Sequence, residues 1–318
     1  MKTVLHYRAG PGFQAQIAAN APADIEVVIV AEDDEAAFAR EMSDADALLH
    51  VLKPVTADVI AAAPALKLIQ KIGVGVNTID LDAARSHGVA VANMPGTNSQ
   101  AVAEMTLALM LATLRRVPLL DEAMRAGRGW DLDRATFDAM GEIAGRTVGL
   151  IGYGEVPRRL APVLVALGAE VIYAARAEKK DAVGVRRDLD ELLAEADIVS
   201  LHLPLSDATA KMIGAAAIAR MKKGAVLINT ARGGLVDEDA LLTALKTGRI
   251  AAAGLDTVSV EPAPATNPLF ALENVVVTPH IAWLTPETLD RSLAIAFENC
   301  RRVVAGEPLL NQIDLAGL

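Results

Sequence analysis

Short apolar runs recur along this chain and alternate with alanine-rich stretches that suit helices. In the amino-terminal part these runs are TVLHY (3–7), EVVIVA (26–31), ALLHVL (47–52), LKLIQKIG (66–73) and VAVAN (89–93). A second series comprises TVGLIG (147–152), EVIYAA (170–175), DIVSLHL (197–203), AVLINT (225–230), AAAGLD (251–256) and VVVTPH (275–280). Strands that alternate with helices form βα units around parallel sheets. The sequence therefore predicts an α/β protein with two doubly wound domains.

Two helical patterns fall outside this alternation. From Ser99 to about Met124 apolar residues recur at helical spacing until Pro118 interrupts them, which predicts a long helix connecting the two series. A last amphipathic pattern begins near Thr285 and continues to about Ala305. Because no strand is left to follow it, we expect this last helix to pack back on the amino-terminal domain.

Composition limits the classes of function. The 318 residues are 53% apolar and only 3% aromatic, which suits two domains with aliphatic cores. A formal charge of −10 and a pI near 5.1 argue against a nucleic-acid partner. The single cysteine, Cys300, excludes an internal disulfide and is compatible with a reducing cytoplasm. Because no run of about 18 apolar residues occurs, we expect neither a signal peptide nor a membrane span, and we predict a cytoplasmic protein.

A glycine turn follows the first run of the second series. Gly152-Tyr153-Gly154 precedes a helical pattern, which is the context of a dinucleotide-binding turn. The first glycine would permit the turn, and the second would let a pyrophosphate approach the helix N-terminus. Pro157 stands where a third glycine is usual, and Pro162 follows inside the helix, where a proline costs about 3 kcal/mol or produces a kink. Taken alone, the two glycines could equally form an ordinary strand-to-helix turn.

The residues after the next strand bear on the choice of cofactor. An acidic residue there would hold a ribose 2′-hydroxyl, but the sequence has Ala175 followed by Arg176, with Lys179 and Lys180 close behind. A cation beside a missing carboxylate suits a 2′-phosphate, so we predict that NADP(H) is preferred and that NAD(H) remains possible. The alternative is that Arg176 begins a solvated loop.

Position separates the five histidines. His6 lies within a predicted strand and His87 at a predicted helix end, so both are assigned structural roles. His50 and His202 end strands, and His202 could line a cofactor crevice. His280 ends the last strand and precedes a loop, which puts it at the mouth of the crevice along the carboxyl edge of the sheet.

Arg232 and Glu261 also follow predicted strands, so we expect them to meet His280 at one edge of the sheet. Taken singly, they could be an ordinary turn cation and an ordinary loop acid. Together, a guanidinium can hold the carboxylate of a 2-oxo acid in two hydrogen bonds. An imidazole kept protonated by a neighbouring carboxylate can donate to the carbonyl oxygen. Beside a dinucleotide, these groups predict hydride transfer to a 2-oxo acid, and we predict no metal site.

The ordered motifs of the chain resemble those of the D-isomer-specific 2-hydroxyacid dehydrogenase family, in particular its glyoxylate and hydroxypyruvate reductases. They are KIGVGVNTID (71–80), NMPGTNSQAVAE (93–104), GLIGYG (149–154), HLPLSDAT (202–209), MKKGAVLINTARGGLVDEDAL (221–241), GLDTVSVEP (254–262) and TPHIAW (278–283). The resemblance implies a Rossmann dinucleotide-binding domain (99–284) inserted into a flavodoxin-like substrate domain (1–98 and 285–318). It also implies that Arg232, Glu261 and His280 are the catalytic set.

The resemblance implies further contacts. Those expected for the cofactor are Thr97, Gly152, Tyr153, Gly154, Glu155, Val156, Ala175, Arg176, His202, Pro204, Thr209, Thr230, Ala231, Asp256 and His280. Within this set Asp256 would hold the nicotinamide carboxamide, while Thr97 and Ala231 would line the nicotinamide. Those expected for the substrate are Leu52, Lys53, Gly75, Val76, Arg232, His280 and Trp283. The backbone amides around Gly75 and Val76 would receive the substrate carboxylate.

Three positions depart from the family's pattern. Pro157 in place of a glycine leaves the placement of the cofactor helix open, and Ala175 in place of the acid favours NADP(H). Glu155 puts a negative charge near the pyrophosphate, and we expect its side chain to point to solvent.

We therefore expect an NADP(H)-preferring reductase of small 2-oxo acids such as glyoxylate or hydroxypyruvate. We expect a homodimer, because the apolar pattern after Ser99 exceeds what one sheet face can cover. Two alternatives stay open. A phosphoglycerate or sugar-acid phosphate dehydrogenase needs cations beyond Arg232, of which Lys53 is the obvious one. A cofactor-sensing, corepressor-like binding protein would need no intact catalytic set.

Overall fold

The structure is a computed structural model that describes residues 1–315. Its strands are β1 (Lys2–His6), β2 (Glu26–Val30), β3 (Ala47–His50), β4 (Leu68–Lys71), β5 (Ala90–Ala92), β6 (Thr147–Ile151), β7 (Glu170–Ala174), β8 (Val185–Arg186), β9 (Ile198–Leu201), β10 (Ala225–Asn229), β11 (Ile250–Leu255) and β12 (Val275–Val277). Its α-helices are α1 (Pro11–Asn20), α2 (Glu35–Met42), α3 (Ala57–Ala61), α4 (Leu81–Ser86), α5 (Ser99–Leu114), α6 (Val117–Arg125), α7 (Arg134–Asp138), α8 (Glu155–Ala166), α9 (Leu189–Glu195), α10 (Ala215–Arg220), α11 (Glu238–Lys246) and α12 (Pro286–Ala305). None of the helices within this described range combines the length and the apolar composition that a membrane crossing needs.

The chain forms two compact units. Unit 1 comprises Met1–Asn98 together with the segment from Trp283 onward, and unit 2 comprises Ser99–Ala282. Unit 1 contains a five-stranded parallel sheet in the order β2-β1-β3-β4-β5, which is the flavodoxin order. Every residue of β3 and β4 is buried, as parallel strands covered by helices on both faces require.

The last helix, α12, belongs to unit 1. Thr285 caps it by accepting a backbone hydrogen bond at 3.1 Å, Pro286 occupies its first turn, and Gly306 ends it with a φ of 69°. On its buried face, Asn299 donates to Gln70 of β4 at 2.6 Å. A buried amide pair of this kind is stabilising because leaving either group unpaired would cost about 1 to 3 kcal/mol.

Unit 2 contains a seven-stranded parallel sheet in the order β12-β11-β10-β9-β6-β7-β8. Counted from β6, this is the Rossmann order with one strand added at the β12 edge. The predicted α/β class with two doubly wound sheets, one of them Rossmann-like, is thus confirmed. Strand β8 was not predicted, because two residues are too few to produce an apolar run.

The predicted long helix after Ser99 is two helices. The first, α5, ends at Leu114, and α6 begins at Val117. Between them Arg116 adopts a left-handed conformation with a φ of 51°, which no continuous helix allows. Pro118 then sits in the first turn of α6, where its missing N–H sacrifices no helical hydrogen bond.

The carboxyl ends of the strands of unit 2 lie along one edge of its sheet, because the strands are parallel. Directly after five of these strands, or a few residues beyond, stand Gly152, His202, Thr230, Asp256 and His280. The strand order reverses between β6 and β9, and a ligand crevice forms at such a reversal.

Candidate active site

The turn between β6 and α8 has the features that a dinucleotide-binding turn requires. Gly152 has a φ of 94°, and a Cβ there would overlap the backbone carbonyl of His202, so only glycine fits. Gly154 precedes the first residue of α8 and has open space around its Cβ position. The Gly152 N–H donates to the Ala174 carbonyl at 2.9 Å, which joins the turn to the end of β7. A pyrophosphate could therefore reach the free N–H groups of α8.

The helix α8 accommodates the residues that depart from the family's pattern. Pro157 is buried in its first turn, where no intrahelical bond is lost. Pro162 lies on the exposed face, and the helix continues past it to Ala166. Glu155 forms an ion pair with Arg159 one turn later, with 2.7 Å between Oε2 and Nη1. This pairing offsets the negative charge that Glu155 brings to the turn.

Tyr153 lies between the two glycines, but its side chain points into the core of unit 2. The residue is only 4% exposed, and its ring packs against that of Tyr173 with 4.5 Å between centroids. Any contact of Tyr153 with a cofactor can therefore involve only its backbone.

The segment after β7 carries two arginines close to Ala175. Arg176 is exposed, as expected for a residue that meets a ligand or solvent. Arg186 of β8 donates from Nε and Nη2 to the Ala175 carbonyl, at 3.3 and 3.2 Å. The sequence did not predict the position of Arg186, because the parallel pairing of β7 with β8 brings it there. The neighbouring Arg187 forms an ion pair with Glu195 at 3.0 Å.

The loop after β9 is held by its own side chains. His202 Nε2 lies 2.9 Å from Ser200 Oγ, and burial lowers the pKa of His202 to about 3, so its imidazole is neutral near pH 7. Thr209 Oγ1 accepts from the Ser206 N–H and donates to the Pro204 carbonyl, both at 2.8 Å. His202 therefore cannot supply a proton as a cation, and Thr209 shapes the loop.

Arg232 lies in a turn after β10 that Asn229 shapes. The buried Asn229 donates from Nδ2 to the Arg232 carbonyl at 2.8 Å and accepts at Oδ1 from the Ala231 N–H at 3.0 Å. The guanidinium of Arg232 donates to the Ala231 carbonyl at 2.7 Å. Thr230 directs its hydroxyl to Thr106 of α5, at 2.8 Å. The sequence did not predict this role of Asn229, because it depends on hydrogen bonds that form only in the folded turn.

Gly233 brings this turn against the loop after β11. A Cβ at position 233 would overlap the backbone carbonyl of Val258, so the two backbones touch there and only glycine fits. Glu261 lies in the same loop as Val258, and the contact thereby sets how Arg232 stands relative to Glu261. Burial lowers the pKa of Arg232 and the charge of Glu261 opposes this effect. An arginine starts from so high a pKa that it remains protonated.

His280 and Glu261 are hydrogen-bonded, with 2.6 Å between Nδ1 and Oε2. The other carboxylate oxygen of Glu261 accepts from the Val258 N–H at 3.0 Å. Burial acts to raise the pKa of Glu261, but the hydrogen bond and charge of His280, helped by Val258 and Arg232, outweigh it and lower this pKa. Within residues 1–315, Nε2 of His280 has no hydrogen-bond partner. The pair can therefore present a proton at Nε2 to an incoming group.

Asp256 holds the segment that carries His280. Its buried carboxylate accepts from the Thr278 hydroxyl at 2.5 Å and from the N–H groups of Ile281 at 3.0 Å and Ala282 at 2.9 Å. Burial raises the pKa of Asp256, and these hydrogen bonds oppose that effect. The Asp256 carbonyl accepts from the His280 N–H at 2.8 Å and so supports its left-handed φ of 54°. Such a conformation persists in a non-glycine residue only where its surroundings enforce it.

The remaining residues expected at the site lie in unit 1. Its loops after β3, β4 and β5 carry Leu52, Gly75, Val76 and Thr97. Lys53 donates from Nζ to the Glu32 carbonyl at 2.7 Å and forms an ion pair with Glu35 at 3.1 Å. Trp283 is buried and packs edge-on against Tyr7, with 6.1 Å between ring centroids. The positive charge of Lys53 is thus already paired with a carboxylate within unit 1.

Comparison with known proteins identifies relatives over nearly the whole chain. Residues 107–282 match the family described as "D-isomer specific 2-hydroxyacid dehydrogenase, NAD binding domain". The D-3-phosphoglycerate dehydrogenase of Mycobacterium leprae is 40% identical over 298 residues, which are 92% of this chain and 56% of that protein. The chain thus spans about half the length of that relative.

In two further matches most of the other protein is covered as well. The glyoxylate reductase of Aeropyrum pernix is 40% identical over 279 residues, which cover 85% of this chain and 83% of that protein. A crystal structure of a Thermus thermophilus protein superposes with a TM-score of 0.88 at 34% identity, covering 99% of this chain and all (100%) of the other. The chain therefore shares the fold of the Thermus thermophilus protein.

The contact between Gly233 and Val258 predicts that substitution by alanine destabilises the protein more at Gly233 than at its neighbour Gly234. Gly233→Ala should lower the free energy of unfolding by about 1 to 3 kcal/mol, because the new Cβ meets backbone that cannot rotate away. Gly234→Ala is the matched control, because its Cβ would meet only the Leu205 side chain, at 2.9 Å. Urea unfolding would measure both. Equal stability of the two variants would contradict the described contact.

Proposed function

The chain belongs to the D-isomer specific 2-hydroxyacid dehydrogenase family of oxidoreductases, and on that premise we propose that it reduces a small 2-oxo acid, such as glyoxylate or hydroxypyruvate, to the D-2-hydroxy acid. The observation that carries this proposal is the His280–Glu261 pair, in which Nδ1 lies 2.6 Å from Oε2 and Nε2 has no partner among the described residues, while the loop of Glu261 touches the Arg232 turn at Gly233. If both ring nitrogens of His280 were hydrogen-bonded within the protein, its imidazole could not donate a proton to a substrate.

Arg232, His280 and Glu261 each have a separate role in the proposed reaction. A nicotinamide cofactor, when bound, would supply a hydride for the carbonyl carbon of the 2-oxo acid. Arg232 holds the substrate carboxylate through its guanidinium. His280 gives the proton at Nε2 to the carbonyl oxygen, so that an alcohol forms. Glu261 keeps Nδ1 bonded, orients the ring and stabilises its charged form before the proton leaves.

The glycine turn and α8 would hold the cofactor. The N–H groups at the start of α8 suit the pyrophosphate, and Gly152 lets the chain turn tightly beside it. Arg176 and Arg186 stand next to Ala175, where a ribose-binding acid would otherwise repel a 2′-phosphate. These features support a preference for NADP(H), with NAD(H) as the weaker cofactor.

A phosphorylated substrate is the second candidate, because relatives with 40% identity are named D-3-phosphoglycerate dehydrogenase. It would need a free cation near the substrate, and Lys53 is already paired with Glu35. An assay of glyoxylate, hydroxypyruvate and 3-phosphohydroxypyruvate with NADPH and NADH, followed by absorbance, separates the candidates. We expect the highest kcat/KM with an unphosphorylated acid. A highest value with the phosphorylated acid would establish the second candidate, and cofactor binding without turnover would indicate a binding protein.

The proton donor is tested by removing its imidazole. His280→Ala should lower kcat by about 10²-fold or more, because the alkoxide would form without a positioned proton donor. His87→Ala is the matched control, since His87 lies at the end of α4 in unit 1 and, within residues 1–315, its side chain bonds only to Ala83 and Ser86 of that helix. Steady-state kinetics with saturating NADPH would measure kcat. A near-normal kcat in His280→Ala would rule out the assignment.

The cofactor preference is tested by exchanging the charges around Ala175. A charge-assisted hydrogen bond to a 2′-phosphate contributes about 1.5 to 3 kcal/mol, so kcat/KM should favour NADPH by roughly ten- to a hundredfold. Ala175→Asp combined with Arg176→Ala should reverse the preference, because the new carboxylate could hold the 2′-hydroxyl and would repel the phosphate. Arg220→Ala, which removes a cation from α10, serves as the control. Equal or better efficiency with NADH in the unmodified protein would disprove the preference.

A homodimer is supported by apolar side chains left exposed after α5. Val117 and Met124 of α6 are exposed, and Trp130 is 91% exposed. Several large apolar groups left exposed within one short segment are typical of an association surface. Light scattering should give the mass of a dimer, and Trp130→Glu should give that of a monomer. Val304→Glu, at another exposed apolar position, should leave the dimer intact. A monomeric wild-type protein at micromolar concentration would contradict this proposal.

A further inference from the structure

The loop of residues 175–184 joins β7 to β8 without regular secondary structure of its own. It contains Ala175 and Arg176, on which the proposed cofactor preference depends together with Arg186 of β8, and it also contains the cation Lys179. Arg176 is exposed, and a loop of this kind would be mobile unless other parts of unit 2 held it. Its attachments therefore decide whether the cations stand in place before a cofactor arrives.

One attachment comes from the glycine turn itself. The Tyr153 hydroxyl accepts from the Val183 N–H at 2.8 Å and donates to the Val183 carbonyl at 3.0 Å. Both backbone groups of one loop residue are thus satisfied by a single side chain 30 positions earlier in the chain. Arg158 of α8 adds a weaker contact, because it lies 5.9 Å from the centroid of the Tyr153 ring and 3.9 Å from the Asp181 carboxylate.

A second attachment comes from β7. The Tyr173 hydroxyl accepts from the Lys179 N–H at 3.2 Å, and the Tyr173 ring packs against Tyr153. Where the loop ends, Gly184 has a φ of 112°, and a Cβ there would lie 2.6 Å from the Val171 carbonyl oxygen. The two tyrosines, whose rings are tilted by 48° to each other, therefore hold the loop at Lys179 and Val183, and the glycine lets the chain close against β7.

Among the residues that the structure describes, the hydroxyl of Tyr153 bonds only to Val183. The ring alone would fill the core, and a phenylalanine would fill it equally well. A buried hydroxyl is unfavourable unless it is hydrogen-bonded, and here both of its bonds go to the loop. Because Tyr153 stands between Gly152 and Gly154, the same residue connects the pyrophosphate turn with the 175–184 loop.

We propose that Tyr153 is a positioning residue for cofactor selection, which holds the 175–184 loop so that its cations stand ready for the 2′-phosphate of NADPH. The assignment rests on the proposed function, since it requires this loop to meet the adenosine end of the cofactor. Without the anchor, the loop has to become ordered when the cofactor binds, and that entropy cost reduces affinity. NADPH loses more than NADH, because only the phosphate needs the cations of the loop.

Tyr153→Phe removes the two hydrogen bonds and keeps the ring. We expect hydrogen–deuterium exchange in residues 175–184 to become faster, and the affinity for NADPH to fall about tenfold, the effect of losing hydrogen bonds of this kind. The affinity for NADH and kcat at saturating cofactor should change less than about twofold, because the catalytic side chains are untouched. Tyr173→Phe removes only the bond to Lys179, so it should change the exchange rate and the NADPH affinity in the same direction by a smaller amount. This variant replaces Tyr153→Phe in the test if Tyr153→Phe does not fold.

Asn274→Ala is the matched control, because it removes a side-chain bond to backbone, to the Ala251 carbonyl at 2.9 Å, at the opposite edge of the same sheet. It should leave the ratio of the two cofactor affinities unchanged. Two results would overturn the Tyr153 assignment alone. One is hydrogen–deuterium exchange in the loop that stays unchanged in both tyrosine variants. The other is a ratio of NADPH to NADH affinity that stays unchanged in these variants although the wild-type protein prefers NADPH. A wild-type protein without any NADPH preference would overturn the cofactor proposal, and exchange in the loop would then decide whether Tyr153 anchors it.

Discussion

The backbone of Val258 lies directly against Gly233, and the chemistry of unit 2 depends on this contact. It brings together two loops that leave neighbouring strands, one carrying Arg232 and the other Glu261. Glu261 in turn fixes the imidazole of His280 at 2.6 Å. Because each group is held by backbone contacts, little reorganisation is needed when a substrate arrives, and preorganised groups of this kind are the effective ones in catalysis.

The local charge at the candidate site is positive, although the net charge of the whole chain is negative. The protein carries a formal charge of −10, yet Arg232 places a cation at the carboxyl edge of unit 2, and Arg176 and Arg186 place two more beside Ala175. An anionic substrate or a phosphate is therefore attracted locally and not by the net charge. The one acid in the proposed catalytic set, Glu261, bonds to His280, where its charge would stabilise a positive charge on the imidazole.

Much of the fold follows from patterns that are local in sequence. The apolar runs located every strand except β8, and the Thr285-Pro286 pair marked the first turn of α12. The candidate catalytic residues could be found because Arg232, Glu261 and His280 all follow such runs, and parallel strands bring their ends to one edge.

The features that the sequence did not reveal depend on contacts between distant residues. The place of Tyr153 in the glycine turn predicts a cofactor contact, but it does not reveal that the Tyr153 hydroxyl bonds to Val183, 30 residues away. The anchoring carboxylate of Asp256 depends on three donors in the segment that carries His280. By contrast, the pairing of Glu155 with Arg159 is an i,i+4 contact, which helical spacing alone could have predicted.

The central claim is that Glu261 holds the proton of His280 in place for the reaction, and the pH dependence of kcat/KM in Glu261→Gln tests it most directly. The lowered pKa of Glu261 keeps its carboxylate ionised across the neutral range, where it stabilises the protonated imidazole. The account predicts that the alkaline limb of the profile moves to lower pH in Glu261→Gln, with a reduced maximum. Superimposable profiles of the wild-type protein and Glu261→Gln would contradict it.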